Sequence, residues 1–134
     1  MTIEEVLMTK LLSETGLTAL VGNRIQWDKA GQGWLYPYVV GIDISNVPEH
    51  THQGQTDNPR PIKQFSIYAD SRSSAKAVSI QIKSALSDFQ GLASGTYIDH
   101  ILLQNDLVST YVREDGTVEC IIHDLEYEIA YKEE

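Results

Sequence analysis

From Ile121 to Tyr131 the chain alternates strictly. Ile121, His123, Leu125, Tyr127, Ile129 and Tyr131 fall in one phase, and Asp124, Glu126 and Glu128 fall in the other. A period of two is that of a β-strand, whose successive side chains point to opposite faces of a sheet. One face of that sheet has to be covered by other parts of the chain. The opposite face carries a row of carboxylates and has to meet solvent or a partner.

Two helices are available as cover. Thr2 caps the first, with Glu5 at capping-box spacing. Leu7, Met8, Leu11 and Leu12 form its apolar stripe, and Ile3 and Val6 widen the arc beyond what packing on a single sheet requires. Such an arc fits a helix wedged between sheet and loops, or one that also touches another subunit. Gly16 is expected to end this helix, and Leu17 to Val21 to add one short turn. Asp70 or Ser71 caps the second helix, which is expected to run to about Phe89 with Gly91 as its stop. Its buried face is Ala75, Val78, Ile82, Ala85, Leu86 and Phe89.

The remaining strands are read at Arg24–Trp27, Tyr38–Ile44, Ile62–Ala69, Ile98–Gln104 and Leu107–Arg113, with Val118–Tyr131 last. Glu114-Asp115-Gly116-Thr117 is the hairpin turn before the last of them. The segment from Ser45 to Pro61, with three prolines and no apolar periodicity, is a long flexible loop joining two paired strands. The expected architecture is a two-layer α+β domain spanning residues 1–134, an antiparallel sheet with two helices on one face and a long hairpin loop. At 134 residues such a domain buries roughly two-thirds of its unfolded surface and needs no metal or disulfide staple.

Charge excludes some functions. The net charge of −9 argues against attraction of the whole protein to nucleic acid. Its distribution is polar: Arg113–Glu134 holds eight acidic and two basic residues, whereas Arg60–Lys83 holds five basic and one acidic. Cys120, as the lone cysteine, allows no internal disulfide and fits a reducing compartment. The acidic start Met1-Thr2-Ile3-Glu4-Glu5 has neither a basic n-region nor an apolar run, so neither a signal peptide nor a membrane span is expected.

The chemistry-bearing residues do not form a recognisable active site. His50 and His52 lie in the long loop and lack the fixed third and fourth ligands of a zinc site. His123 is in phase with the strand's apolar residues and reads as a sheet histidine without partner groups. No nucleophile elbow or phosphate-binding glycine loop is present. Trp27, Trp34 and Tyr36 offer an alternative, a ligand pocket or enzymatic site, and the acidic face offers another, a cytosolic regulator that binds a basic partner. On the second helix Arg72, Lys76 and Lys83 make a basic stripe beside Ile80, a solvated face or a contact surface complementary to the acidic strand face of another subunit.

In order and spacing the segments resemble the bacteriophage tail-completion, or tail-to-head joining, proteins. The likeness rests on Leu17-Thr18-Ala19-Leu20-Val21-Gly22-Asn23-Arg24-Ile25, on Pro37-Tyr38-Val39-Val40 and on Phe65-Ser66-Ile67-Tyr68-Ala69-Asp70, followed by the helix near Ser73 and the closing hairpin. It covers nearly the whole chain. The resemblance implies a structural virion protein of a long-tailed phage or prophage, without catalytic residues, cofactor or metal. It implies a ring, hexameric when assembled, at the head–tail junction, put together in the host cytoplasm. Its partners would be further copies of itself, the tail tube protein and the head-completion or connector protein, with DNA only passing through the lumen. Loops make most subunit contacts in that family, which assigns the 45–61 loop with His50, His52, Gln53 and Gln55 to an interface. The interface set is completed by Arg72, Lys76, Ile80 and Lys83 and by Asp124, Glu126 and Glu128. The acidic row would face either the lumen, where it repels DNA phosphates, or a subunit seam.

Overall fold

A computed structural model describes residues 2–45, 50–51, 54–55, 61–93 and 95–132. The chain runs α1 (Ile3–Leu12), α2 (Thr15–Val21), β1 (Ile25–Trp27), β2 (Tyr38–Ser45), β3 (His50–Thr51), β4 (Gly54–Gln55) and β5 (Ile62–Ala69). It continues through α3 (Arg72–Leu86), β6 (Gly91–Ala93), β7 (Thr96–Val112) and β8 (Val118–Lys132). Six strands form one curled sheet in the order β1-β2-β5-β8-β7-β6, and β3 and β4 pair separately. The sheet is antiparallel except at its edge, where β1 runs parallel to β2 with Ile25 beside Val39.

The alternating segment lies at the centre of the sheet. Its phase of Ile121, His123, Leu125, Tyr127, Ile129 and Tyr131 is buried beneath the helices. Lys63, Phe65, Ile67 and Ala69 of β5 pair with Tyr127, Leu125, His123 and Ile121 respectively and so share that face. Above them lie Ala75, Val78, Ile82, Ala85 and Leu86 of α3, and Ile3, Val6, Leu7 and Leu11 of α1. Burying a Phe or Leu here contributes roughly 1.5–3 kcal/mol each.

Local chemistry accounts for the helix starts. Thr2 Oγ1 accepts from the Glu5 N–H at 3.2 Å, and Ser71 Oγ accepts from the Ser74 N–H at 3.2 Å. The wide apolar arc of α1 is used up within the chain, against α2, β1 and α3, with Leu12 left exposed. A buried ammonium ties the N-terminus of α1 to the sheet. Lys63 Nζ reaches Glu4 Oε1 at 2.8 Å and Asp43 Oδ1 at 2.5 Å, its own side chain wholly covered. The two carboxylates stay partly in water, so the ammonium is neutralised without desolvating its partners to the same degree. Burial pushes the Glu4 carboxyl up, but the hydrogen bond and charge of Lys63 outweigh it and hold the group below 4.5. The Trp27 indole N–H donates to the Glu4 carbonyl at 3.1 Å and locks the same corner.

Several boundaries differ from the sequence reading. Among the described residues there are three helices where two were expected, because the short turn read at Leu17–Val21 is part of a full helix, α2. Gly16 lies inside α2 rather than ending α1, since α1 stops at Leu12. A Cβ at Gly16 would come within 2.3 Å of Gln81 Oε1, the far end of a flexible side chain on α3 that would have to swing aside. Helix α3 ends at Leu86, and Gly91 opens β6 instead of stopping a helix. The two strands expected at Ile98–Gln104 and Leu107–Arg113 are one strand of 17 residues, β7, carrying register shifts at Ile98/His100, Leu103/Asn105 and Tyr111/Val112. Most of the long loop expected over 45–61 lies outside the described residues.

Truncating Phe65, fully buried between Trp27 and Tyr127, to alanine is expected to lower the unfolding free energy by about 3–5 kcal/mol. Ile80→Ser, at a position 52% exposed, is expected to stay within about 0.5 kcal/mol of wild type. Urea unfolding followed by circular dichroism checks both.

Candidate functional site

Positions 72, 76, 80 and 83 of α3 follow one another at three- and four-residue spacing, so Arg72, Lys76, Ile80 and Lys83 form one stripe down the flank of the helix. The packing of α3 on β5 and β8 sets that stripe against β7 and β8 and leaves a groove of about 250 Å³. Asp106 and Val108 of β7 and Ile121 and His123 of β8 form its other wall.

Asp106 reaches this face through a β-bulge. Leu103 pairs with Tyr127, but Asn105 pairs with Glu126, so one residue of β7 is skipped and every later side chain changes face. Without the bulge Asp106 would stand opposite Asp124 on the other side of the sheet. With it, Asp106 stands opposite Leu125, beneath α3. There its Oδ2 accepts from Lys83 Nζ at 2.5 Å and its Oδ1 accepts from His123 Nε2 at 2.5 Å. Burial pushes the Asp106 carboxyl up, yet the hydrogen bonds from Lys83 and His123 outweigh it and hold the group below 3.8. Because an ionised carboxylate only accepts, His123 Nε2 carries the proton in this contact.

A histidine–carboxylate pair does acid–base work only when a reacting group lies in reach of the imidazole. His123 is 7% exposed. Among the described residues lining the groove the one hydroxyl is that of Ser79, which donates to the Lys76 carbonyl at 2.8 Å. The network therefore fixes the groove's shape and offers no nucleophile. Arg72 and Lys76 differ from Lys83: both are exposed, and among the described residues neither has a carboxylate within salt-bridge distance.

The other sequence-predicted residues lie elsewhere. Asp124, Glu126 and Glu128 are on the opposite face of the sheet, beside Ser66, Gln64 and Ile62 of β5 respectively. Glu128 Oε2 accepts from Gln104 Nε2 at 3.1 Å, while Asp124 Oδ1 is buried without a hydrogen-bond partner among the described residues. The basic stripe and the acidic row of one chain thus cannot meet. His50 pairs with Gln55 in the β3–β4 hairpin, with their side chains outside the described residues, as are His52 and Gln53 altogether. No group of three metal-ligating side chains occurs among the described residues. Trp27, Trp34 and Tyr36 do not converge. Trp27 packs on Phe65 beneath the helices, whereas Trp34 and Tyr36 join Tyr38 and Tyr68 in an aromatic ladder on the other face, with ring centroids 5.0–5.7 Å apart.

Sequence reasoning missed Asp106, because the adjacent apolar pairs Leu102-Leu103 and Leu107-Val108 fix no phase from which the bulge between them could be read. It also missed the cover over Lys63, which β5's own alternation with Phe65 signalled.

A family model described as Tail completion protein gp17 matches residues 5–124. The chain belongs to that family. As a tail completion protein it is a structural protein of a bacteriophage tail. The matched span includes α3, the groove and the whole β7–β8 turn. Among solved structures, a chain of the virion of a native gene transfer agent particle has the same fold, with a TM-score of 0.77 at 17% identity over 98% of this chain and 95% of that one. A second solved chain, at 11% identity over 98% of both chains, reaches a TM-score of 0.49, too low to carry a comparison. A comparison with curated proteins found no match.

The lowered pKa of Asp106 gives the groove a pH signature in this tail completion protein. A group whose folded pKa lies below its unfolded value stabilises the fold above that unfolded value and loses the effect as pH falls through the folded one. Wild type is therefore expected to exceed Asp106→Asn in stability at neutral pH, with the gap closing as pH drops below 3.8. Unfolding midpoints of both proteins between pH 7 and about pH 2 check this.

Proposed function

We propose that the protein closes the head-proximal end of the phage tail tube as a ring of identical subunits and joins the tail to the head connector. The family match over residues 5–124 carries this reading. The molecule's surface supports it. One face carries Arg72 and Lys76, without a salt bridge among the described residues, and the other carries the row Asp124, Glu126 and Glu128. A cyclic ring joins unlike surfaces of neighbouring subunits, so a subunit needs two different contact faces.

The role is non-catalytic on this reading. The described residues bring together two histidine–carboxylate pairs, His100 with Glu128 at 4.0 Å and His123 with Asp106, and the other partner of Asp106 is Lys83, not a nucleophile. The acidic row has a use in a ring whose lumen passes DNA, because fixed negative charge keeps a polyanion from adhering to the wall. The ring forms in the infected cell and stays in the virion at the head–tail junction, with the tube protein below and the connector protein above.

Light scattering after size exclusion, followed by negative-stain imaging with purified tail tubes, tests the proposal. Rings in solution, or caps confined to one end of each tube, are expected. A protein that remains monomeric at every concentration and leaves both tube ends bare overturns it.

A further inference from the structure

Beyond Ile121 the β5 ladder ends, and β7 and β8 continue as a two-stranded arm closed by Glu114, Asp115 and Gly116. The Gly116 N–H donates to the Arg113 carbonyl at 2.9 Å and the Arg113 N–H to the Thr117 carbonyl at 2.8 Å. Gly116 has a φ of +88°, the left-handed residue that a three-residue hairpin loop requires. Asp115 Oδ1 accepts from both the N–H and the hydroxyl of Thr117. The arm is a hydrogen-bonded projection whose end is exposed among the described residues. Tyr111, Val112 and Val118 are 55%, 50% and 53% exposed. Glu114, Asp115 and Glu119 surround them, with Arg113 as the one opposing charge.

We infer that the tip of this arm seats in the α3 groove of a second copy of the chain. The inference rests on the ring reading and supplies the contact that the ring requires. Four observations carry it. The groove has an apolar lining from Ile80, Val108 and Ile121, matching the exposed apolar residues of the tip. Arg72 and Lys76 line it, neither with a carboxylate within salt-bridge distance among the described residues, while Asp106 is engaged by Lys83 and His123, and the tip carries three carboxylates. Its volume of about 250 Å³ is below the roughly 300–1,000 Å³ of small-molecule sites and suits one or two side chains. Finally, the tip cannot reach the groove of its own molecule. Glu114 lies six residues beyond Val108 on a hydrogen-bonded ladder, roughly 20 Å along the strand, and folding it back would break the register.

Tip and groove are different surfaces of one chain, so each copy gives one contact and receives another. That is a heterologous interface, which repeats around a ring until it closes. The Lys83–Asp106–His123 network is already satisfied and serves as a preformed wall. The contact also leaves the acidic row on the far face uncovered.

Charge reversal and cross-linking on tail tubes test the contact. Arg72→Glu with Lys76→Glu, and separately Glu114→Lys with Glu119→Lys, are each expected to weaken ring or cap formation by about tenfold or more. The four substitutions combined are expected to restore it. Asp115 is left in place because it holds the turn. Lys76→Cys with Glu114→Cys in one chain is expected to give, on oxidation, a disulfide ladder ending in a closed species, and neither substitution alone is. Rings that survive both reversals and yield no ladder overturn the arm–groove contact and leave the ring reading standing. Loss of capping in the groove variant without recovery in the combined one, and with no ladder, assigns the groove to another acidic partner and overturns the second copy as occupant. Wild type that forms neither rings nor caps removes the ring reading and this contact with it. All four reversed positions lie outside the core, thermal unfolding checks that each variant is folded, and the cysteine pair decides the matter if a reversal variant is not.

Discussion

The ladders that β8 makes with β5 and with β7 are the constraint on which the rest of the molecule depends. Pairing of Leu125 with Phe65 on one side and with Asp106 on the other places an apolar seam under α3 and sets the groove beside it. A slip of one residue would turn Asp124, Glu126 and Glu128 into the core and Leu125, Tyr127 and Ile129 out of it, which burial costs forbid. Because β8 is longer than β5, the same ladder runs on with β7 alone past Ile121. The projecting arm is thus a direct consequence of unequal strand lengths around one central strand.

Charge is sorted by how far it is removed from water. Lys63 is fully covered and has two carboxylates within reach; Lys83 is partly covered and has one. Arg72 and Lys76 are exposed and, among the described residues, have none. The order follows from desolvation: a buried ammonium without partners would cost too much, whereas an exposed one is served by water until something better arrives. Among the described residues the exposed cations of α3 therefore line the groove, and the fully buried charge holds α1 to the sheet.

Much of the fold was legible. The alternation of β8, the caps at Thr2 and Ser71 and the Asp-Gly turn each depend on neighbours within a few residues, and each appears where the sequence placed it. The family resemblance, carried by the order of such segments, agrees with the family match. Failures occurred where distant residues decide. Gly16 looks like a helix stop until α3 is brought against it, and β7 looks like two strands because a bulge shifts its phase at Gln104. The parallel edge pair β1–β2 depends on a connection whose path no local pattern reveals.

By itself the sequence determined the layer plan, the residues that must be buried, the basic stripe on α3 and the family, since periodicity, capping and segment order are local properties. Tertiary structure alone decided which charges meet. Asp106 joins Lys83 and His123 only because one extra residue in β7 rotates it to the helix face, and the basic stripe and acidic row are kept apart because they lie on opposite faces of one sheet. Register across the sheet is a long-range agreement between strands, and a single inserted residue reverses it without changing the composition of either strand.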